Sequence, residues 1–192
     1  MELFRNIPAI HIKTRAAWRK WLEKNHDKAS SVWLIFYRKG AETSSVNYVD
    51  AVEEALCFGW IDSVKYPRDG ESSYQYFAPR KPKGTWAKTN KERVERMMAQ
   101  GLMTPAGQVH IDAAKKNGAW ETLTEVDNMT LPPDLLKLFK SNKIAFSNFE
   151  KFSPSSKKVM LQWIVLAKRP ETREKRIEAI VASAAENKKA YP

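Results

Sequence analysis

The succession of apolar and polar positions predicts a series of short elements. Thr14 is placed to cap a helix in which Trp18, Trp21 and Leu22 recur at i, i+3 and i+4, which gives one inward stripe. Residues 31–39, "SVWLIFYRK", form a continuous apolar run rich in β-branched and aromatic side chains, the pattern of a central strand buried on both faces. The preceding "PAIHIK" is placed to pair with it. Asn47, followed three residues later by Asp50, starts a second helical period through Val49, Val52, Leu56 and Trp60. "PRDGESS" then reads as a turn, and "YQYFAPR" as a strand that Pro79 ends or confines to an edge. Thr89 and Glu92 predict a capping box before Val94, Met97 and Met98, with Gly101 as the stop; Thr104 and Pro105 start a further helix that Gly118 closes.

The pattern changes at "DNMTLPPDLL", where Pro132 and Pro133 interrupt regular backbone and favour a new helix start. Beyond it, Leu135, Leu136, Leu138 and Phe139, then "SPSSKKVMLQWIVLAKR", then "PETREKRIEAIVASAAE" predict three or four short helices. The expected class is therefore α+β. A small antiparallel sheet packed by helices occupies residues 1–128, and an all-helical module occupies residues 129–192.

With 43% hydrophobic residues and seven tryptophans in 192 residues, the chain has ample apolar surface to bury, which argues against intrinsic disorder. Its longest apolar runs, "VWLIFY" and "WIVLA", are too short to span a bilayer, so no membrane insertion is expected. The start "MELFRNIPAI" has no basic segment followed by an apolar stretch and cleavage site, and Cys57 is the single cysteine; both predict a cytoplasmic setting. His11, His26 and His110 are dispersed without ligand spacing, so no metal is expected, and no cofactor motif is present. The formal net charge of +11 favours anionic partners: nucleic acid, phosphorylated metabolites or acidic lipid headgroups. Between residues 72 and 91 lie Arg80, Lys81, Lys83, Lys88 and Lys91 with no acid among them.

Four segments in order, "EALCFGWIDS", "YFAPRKPKGTWAKTN", "GLMTPAG" and "SPSSKKVMLQWIVLAKRPETREKRI", resemble the YdeI/OmpD-associated family, also labelled bacteriocin-protection proteins. The resemblance spans nearly the whole chain. It implies a small bacterial cytoplasmic protein of protective or stress-related role, with a C-terminal helical module of a kind attached to other domains. The matching positions are Trp60 and Asp62 of "GWID", Arg80 of "PRK", Trp86 and Asn90 of "TWAKTN", and the "AKRPETR" segment. Ala87 departs from the serine that often follows the tryptophan in such sequences.

Asp62 is the pivotal candidate. If the helix continued through it, Glu54, Phe58 and Asp62 would share a face and bring two carboxylates around an aromatic ring, an arrangement suited to moving a proton. The structural alternative pairs Asp62 with Arg80 to fix two segments together. Trp60 and Trp86 present either a stacking clamp or core, while Cys57, on an apolar face, reads as core. In "AKRPETR" and the residues after it, Arg169, Arg173 and Arg176 alternate with Glu171, Glu174 and Glu178 as a salt-linked surface does.

These residues leave three functions open. One is a binding module for a small anionic or aromatic ligand or an acidic peptide, with a site at Trp60, Asp62, Arg80, Trp86, Lys88 and Asn90. The second is an enzyme with Asp62 as general acid/base, and the third is nonspecific nucleic-acid binding, expected to be weak, through the basic loop with Tyr74, Tyr76 or Trp86.

Overall fold

The computed structural model of the protein describes residues 2–190. The chain divides into two compact units between Trp120 and Glu121, ahead of the prolines at 132 and 133. The short helix at Thr124–Asp127 accounts for that position, because Leu123 and Val126 are buried in the core of the second unit.

The first unit is α+β. Its strands are β1 (Glu2–Phe4), β2 (Ile7–His11), β3 (Val32–Tyr37), β4 (Trp60–Pro67) and β5 (Ser72–Pro79). They form one sheet in the order β1-β2-β3-β5-β4, antiparallel except for the parallel pair β2–β3. The apolar run takes the central position, and "PAIHIK" supplies its parallel neighbour. The parallel connection is made by α1 (Arg15–Asn25), whose N-cap Thr14 accepts the Ala17 amide at 3.2 Å. Side chains alternate across the sheet. Val32, Leu34 and Phe77 face the helices, with Trp18 and Leu22 of α1 packed among them; Trp33, Ile35 and Tyr74 face the other way.

That second face is closed by the sheet itself. Arg5 and Asn6 both adopt positive φ (52° and 61°), as a two-residue hairpin turn between β1 and β2 requires. Phe4 stacks on Tyr74 with ring centroids 4.3 Å apart, although β2 and β3 lie between their strands, which would separate them by roughly 14 Å in a flat sheet. The sheet therefore curls until its edges meet. Glu2 accepts hydrogen bonds from Arg68, just beyond β4, and from the Tyr74 hydroxyl, while Arg5 covers the Tyr66 ring at 4.0 Å. Burial among these rings leaves Trp33 2% exposed.

The helices α2 (Tyr48–Cys57), α3 (Lys88–Ala99) and α4 (Pro105–Lys116) complete the unit. Two local expectations are corrected here. The helical period does not run through Asp62: α2 ends at Cys57, Gly59 turns the chain at φ 74°, and Trp60 already begins β4. Likewise Thr89 and Glu92 make no capping box, since α3 starts earlier, at an N-cap Ala87 without a side-chain cap.

The second unit is all helical: α5 (Thr124–Asp127), α6 (Pro133–Ser141), α7 (Lys143–Lys151), α8 (Pro154–Val165) and α9 (Pro170–Ala185). Leu135, Phe139, Phe149, Met160, Ile164, Ile177 and Ile180 fill its core. On α9 the arginines do not pair with the glutamates alternating beside them. Arg173 instead reaches Asp134 of α6 at 2.7 Å, and Arg176 donates to the Trp163 carbonyl.

One close approach sets the seat of α4. A Cβ on Gly107 would lie 2.3 Å from the Cys57 carbonyl oxygen, and the Thr104 hydroxyl donates to that same oxygen at 2.6 Å. In an exposed helix Gly→Ala gains about 1 kcal/mol. Gly107→Ala is expected to reverse that sign and destabilise by about 2 kcal/mol, because backbone must move to admit the methyl. Urea denaturation of the two proteins measures the difference.

Candidate functional site

The loop after β3 leaves the sheet at Arg38 and returns at Asn47, the N-cap of α2, whose side chain accepts the Asp50 amide at 2.9 Å. Its course is pinned by Tyr37 N–H to the Ser45 hydroxyl (3.0 Å) and Val46 N–H to the Ile12 carbonyl (2.9 Å). Between this loop and the helix-facing side of the sheet lies a cavity of about 800 Å³. Asp62 and Gln75 contribute to it from β4 and β5, Tyr48 from the first position of α2, and Arg38, Lys39 and Lys65 as exposed cations.

A β-bulge gives this lining its composition. Asp62 pairs with Phe77 and Lys65 with Gln75, so β4 advances three residues while β5 advances two. In regular alternation Asp62 and Lys65 would point to opposite faces; the extra residue brings both toward the cavity. Asp62 accepts the Tyr48 hydroxyl at 2.7 Å and the Gln75 amide at 3.2 Å, and Gln75 is itself buried. Burial, reinforced by the adjoining carboxylate, pushes the Tyr48 phenol up to about 12. Tyr48 is therefore a neutral donor at physiological pH, and it orients a carboxylate that retains unused acceptor capacity.

The other residues expected at a site do not gather here. Trp60 is 1% exposed, donates its indole N–H to the His26 carbonyl at 3.0 Å and packs against Trp21. It belongs to the core, as does Cys57, whose thiol burial pushes up to about 11. Trp86 is 2% exposed and lies against Trp120, so it forms no clamp with Trp60. Arg80 is buried just beyond β5, where it donates to the Thr85 carbonyl at 2.8 Å and stacks 3.6 Å above the Trp86 ring. It makes no ion pair with Asp62, whose hydrogen bonds are those to Tyr48 and Gln75; the carboxylate acts on it only at longer range. Lys88 is exposed at the start of α3, and Asn90 accepts a hydrogen bond from Arg93 at 2.7 Å.

Glu54 is also removed from any partnership with Asp62. It is 2% exposed and bound by Arg15 at 2.6 Å and Arg19 at 2.8 Å. His110 of α4 is partly buried against Gly59, where an added Cβ would meet its ring at 2.2 Å; burial and the nearby Arg80 lower its pKa. Tyr74 is committed to the sheet interior, which removes it as a stacking surface for nucleic acid. Tyr48, Lys65 and Gln75 escaped the sequence reading. Only the position of Tyr48 directly after an N-cap gave any sign, since the bulge that turns Lys65 inward has no marker such as glycine.

The alkaline titration of Tyr48 provides a check. Its raised folded-state pKa means that its contribution to stability is complete below pH 10 and is lost as pH rises from there toward about 12. Tyr48→Phe is expected to remove the highest step from the ultraviolet tyrosine titration. Asp62→Asn is expected to move that step down only partway, because burial remains.

Among the described residues, no group of three or more His, Cys, Asp or Glu is placed to hold a metal ion, and no helix is long and apolar enough to cross a membrane. Residues 10–110 match the family described as "Domain of unknown function (DUF8412)". Residues 128–187 match the one described as "Bacteriocin-protection, YdeI or OmpD-Associated". The YdeI/OmpD-associated likeness thus rests on the helical module, and the "GWID", "PRK" and "TWAKTN" elements fall under the first match. No curated protein and no solved structure matches the chain.

Proposed function

For a chain that belongs to the family described as "Domain of unknown function (DUF8412)", we propose a small-ligand binding protein acting in the bacterial cytoplasm, with the cavity at Asp62 as its binding site. The observation that carries this is a carboxylate held by Tyr48 and Gln75 inside a cavity whose other charged lining residues are all cationic. Such a lining selects a small anionic molecule that also bears a hydroxyl or amine N–H. Lys39 and Lys65 attract the anionic group, and Asp62 accepts a hydrogen bond from the ligand's O–H or N–H. Residues 128–187 attach to this binding unit a module matching the bacteriocin-protection family, and a protective or stress-related role is the setting we assign to it.

The test is a thermal-shift screen of hydroxy acids, amino acids and sugar acids, followed by calorimetry on the hits. A hit at the cavity is expected to lose roughly ten- to a hundredfold in affinity in Asp62→Asn, the weight of one hydrogen bond to a charged group, and several-fold in Lys65→Ala. Equal binding by wild type and both variants rules this site out.

A second reading rests on three exposed lysines, Lys81, Lys83 and Lys88, within one eight-residue stretch of the chain. They support weak nucleic-acid association with about three phosphate contacts, for which log affinity falls against log salt with a slope near −3 on duplex DNA. Filter binding at graded salt measures that slope. Tight binding that persists at physiological salt and is lost in the triple Lys→Ala variant would replace the cavity as the principal site.

A further inference from the structure

Arg80 is 6% exposed, the one buried arginine among the described residues, and it has no carboxylate. Elsewhere in the same unit Arg15, Arg19, Arg38, Arg68 and Arg96, all more exposed, each meet a carboxylate at 3.0 Å or less. A guanidinium offers five N–H donors in a planar fork. In Arg80 the fork supplies one hydrogen bond, from Nη2 to the Thr85 carbonyl at 2.8 Å, while one face lies on Trp86 at 3.6 Å.

The remaining donors have an outlet. Trp33 Nε1 is the one fully buried side-chain polar atom without a partner among the described residues. Nε and Nη1 of Arg80, which have none either, are therefore not fully buried.

The fork is also held still. The Arg80 amide bonds the Gly59 carbonyl at 2.8 Å, a turn joins Gly84 N–H to the Lys81 carbonyl at 2.9 Å, and Asn117 tethers the loop at the Pro82 carbonyl at 2.7 Å. A buried cation so fixed, with an open edge and no counterion, is preorganised for a group that supplies the missing charge. Exposed Lys81 and Lys83 in the same loop add to the local positive field. Burial lowers the Arg80 pKa to about 10, so the group remains cationic at neutral pH.

We propose that the free edge of Arg80, backed by Trp86, binds a single oxyanion group, a phosphate or a carboxylate, at a site separate from the Asp62 cavity. Recognition uses the directional donors that the protein leaves unused: Nε–H or Nη1–H meets an oxygen of the anion in the plane of the guanidinium, a geometry that a lysine at the same place does not reproduce.

The experiment titrates the full-length ¹⁵N-labelled protein with sodium phosphate and, separately, sodium acetate at constant ionic strength, following the Arg80 Nε–H resonance. Saturating movement is expected with at least one anion. Phosphate alone identifies a phosphate site, acetate alone a carboxylate site, and movement with both an oxyanion site that accepts either. Arg80→Lys is expected to weaken the anion's thermal stabilisation by about tenfold in concentration; the wild-type resonance answers the question even if that variant folds poorly. No movement of the Arg80 signal, or a linear drift shared with exposed Arg169, overturns the proposal.

Discussion

Glu53 and Glu54 are carried into the interior by α2, where they are 5% and 2% exposed, and arginines from two other helices follow them. Arg15 of α1 reaches Asp50, Glu53 and Glu54, Arg19 of α1 reaches Glu54, and Arg96 of α3 reaches Glu53, all at 2.6–2.9 Å. Apolar residues of similar volume would hold the helices as firmly, since desolvating these charges offsets much of their attraction. What the ionic version adds is directional: a planar fork meets a carboxylate well only over a narrow range of angles. It therefore fixes how α1 and α3 lie against α2. The two ends of α2 in turn place both chemical loci, Tyr48 beside Asp62 at one end and the turn at Gly59 beside Arg80 and His110 at the other.

The sheet divides its chemistry between two faces with different fates. Curling draws Phe4, Trp33, Tyr66 and Tyr74 into an interior of their own, and Glu2 and Arg68 join the edges across it. Aromatic residues that look available in the sequence are thereby spent on closure. The opposite face receives the helices over most of its area, and the cavity lies where β3 and β5 pass under the loop leading to α2. There the bulge in β4 turns Asp62 and Lys65 to the same side, which gives the cavity both an acceptor and a cation.

The positive charge of the chain is similarly divided. In the network around α2, at Arg68 and at Arg173, cations meet carboxylates and contribute to architecture. Arg5 and Arg176 lie over aromatic rings. Lys39 and Lys65 stand at the cavity, and Arg80 keeps an open edge. Net charge alone does not separate these roles, because it sums groups that burial and pairing make chemically different.

The sequence by itself determined the class and most of the elements: the central strand, the pairing of "PAIHIK" with it though not the parallel sense of that pairing, the caps at Thr14, Asn47 and Thr104, the helix starts at Pro133 and Pro154, and the helical character of the second unit. Those features are local, written in side-chain periodicity and in residues whose backbone preferences act within a few positions. Tertiary structure decided the rest. Asp62 reads as a helix residue because Trp60 continues the α2 period, yet pairing with β5 and the turn at Gly59 place both residues in a strand. Arg80 and Asp62 form a plausible pair by charge, but their separation depends on where two chain segments end and what lies between them. The partners of Asp62, Tyr48 and Gln75, come from segments 14 and 13 residues away and meet it only after α2 has packed on the sheet. Hydrogen-bond geometry of that kind is a property of assembled elements, and no period of 2 or 3.6 encodes it.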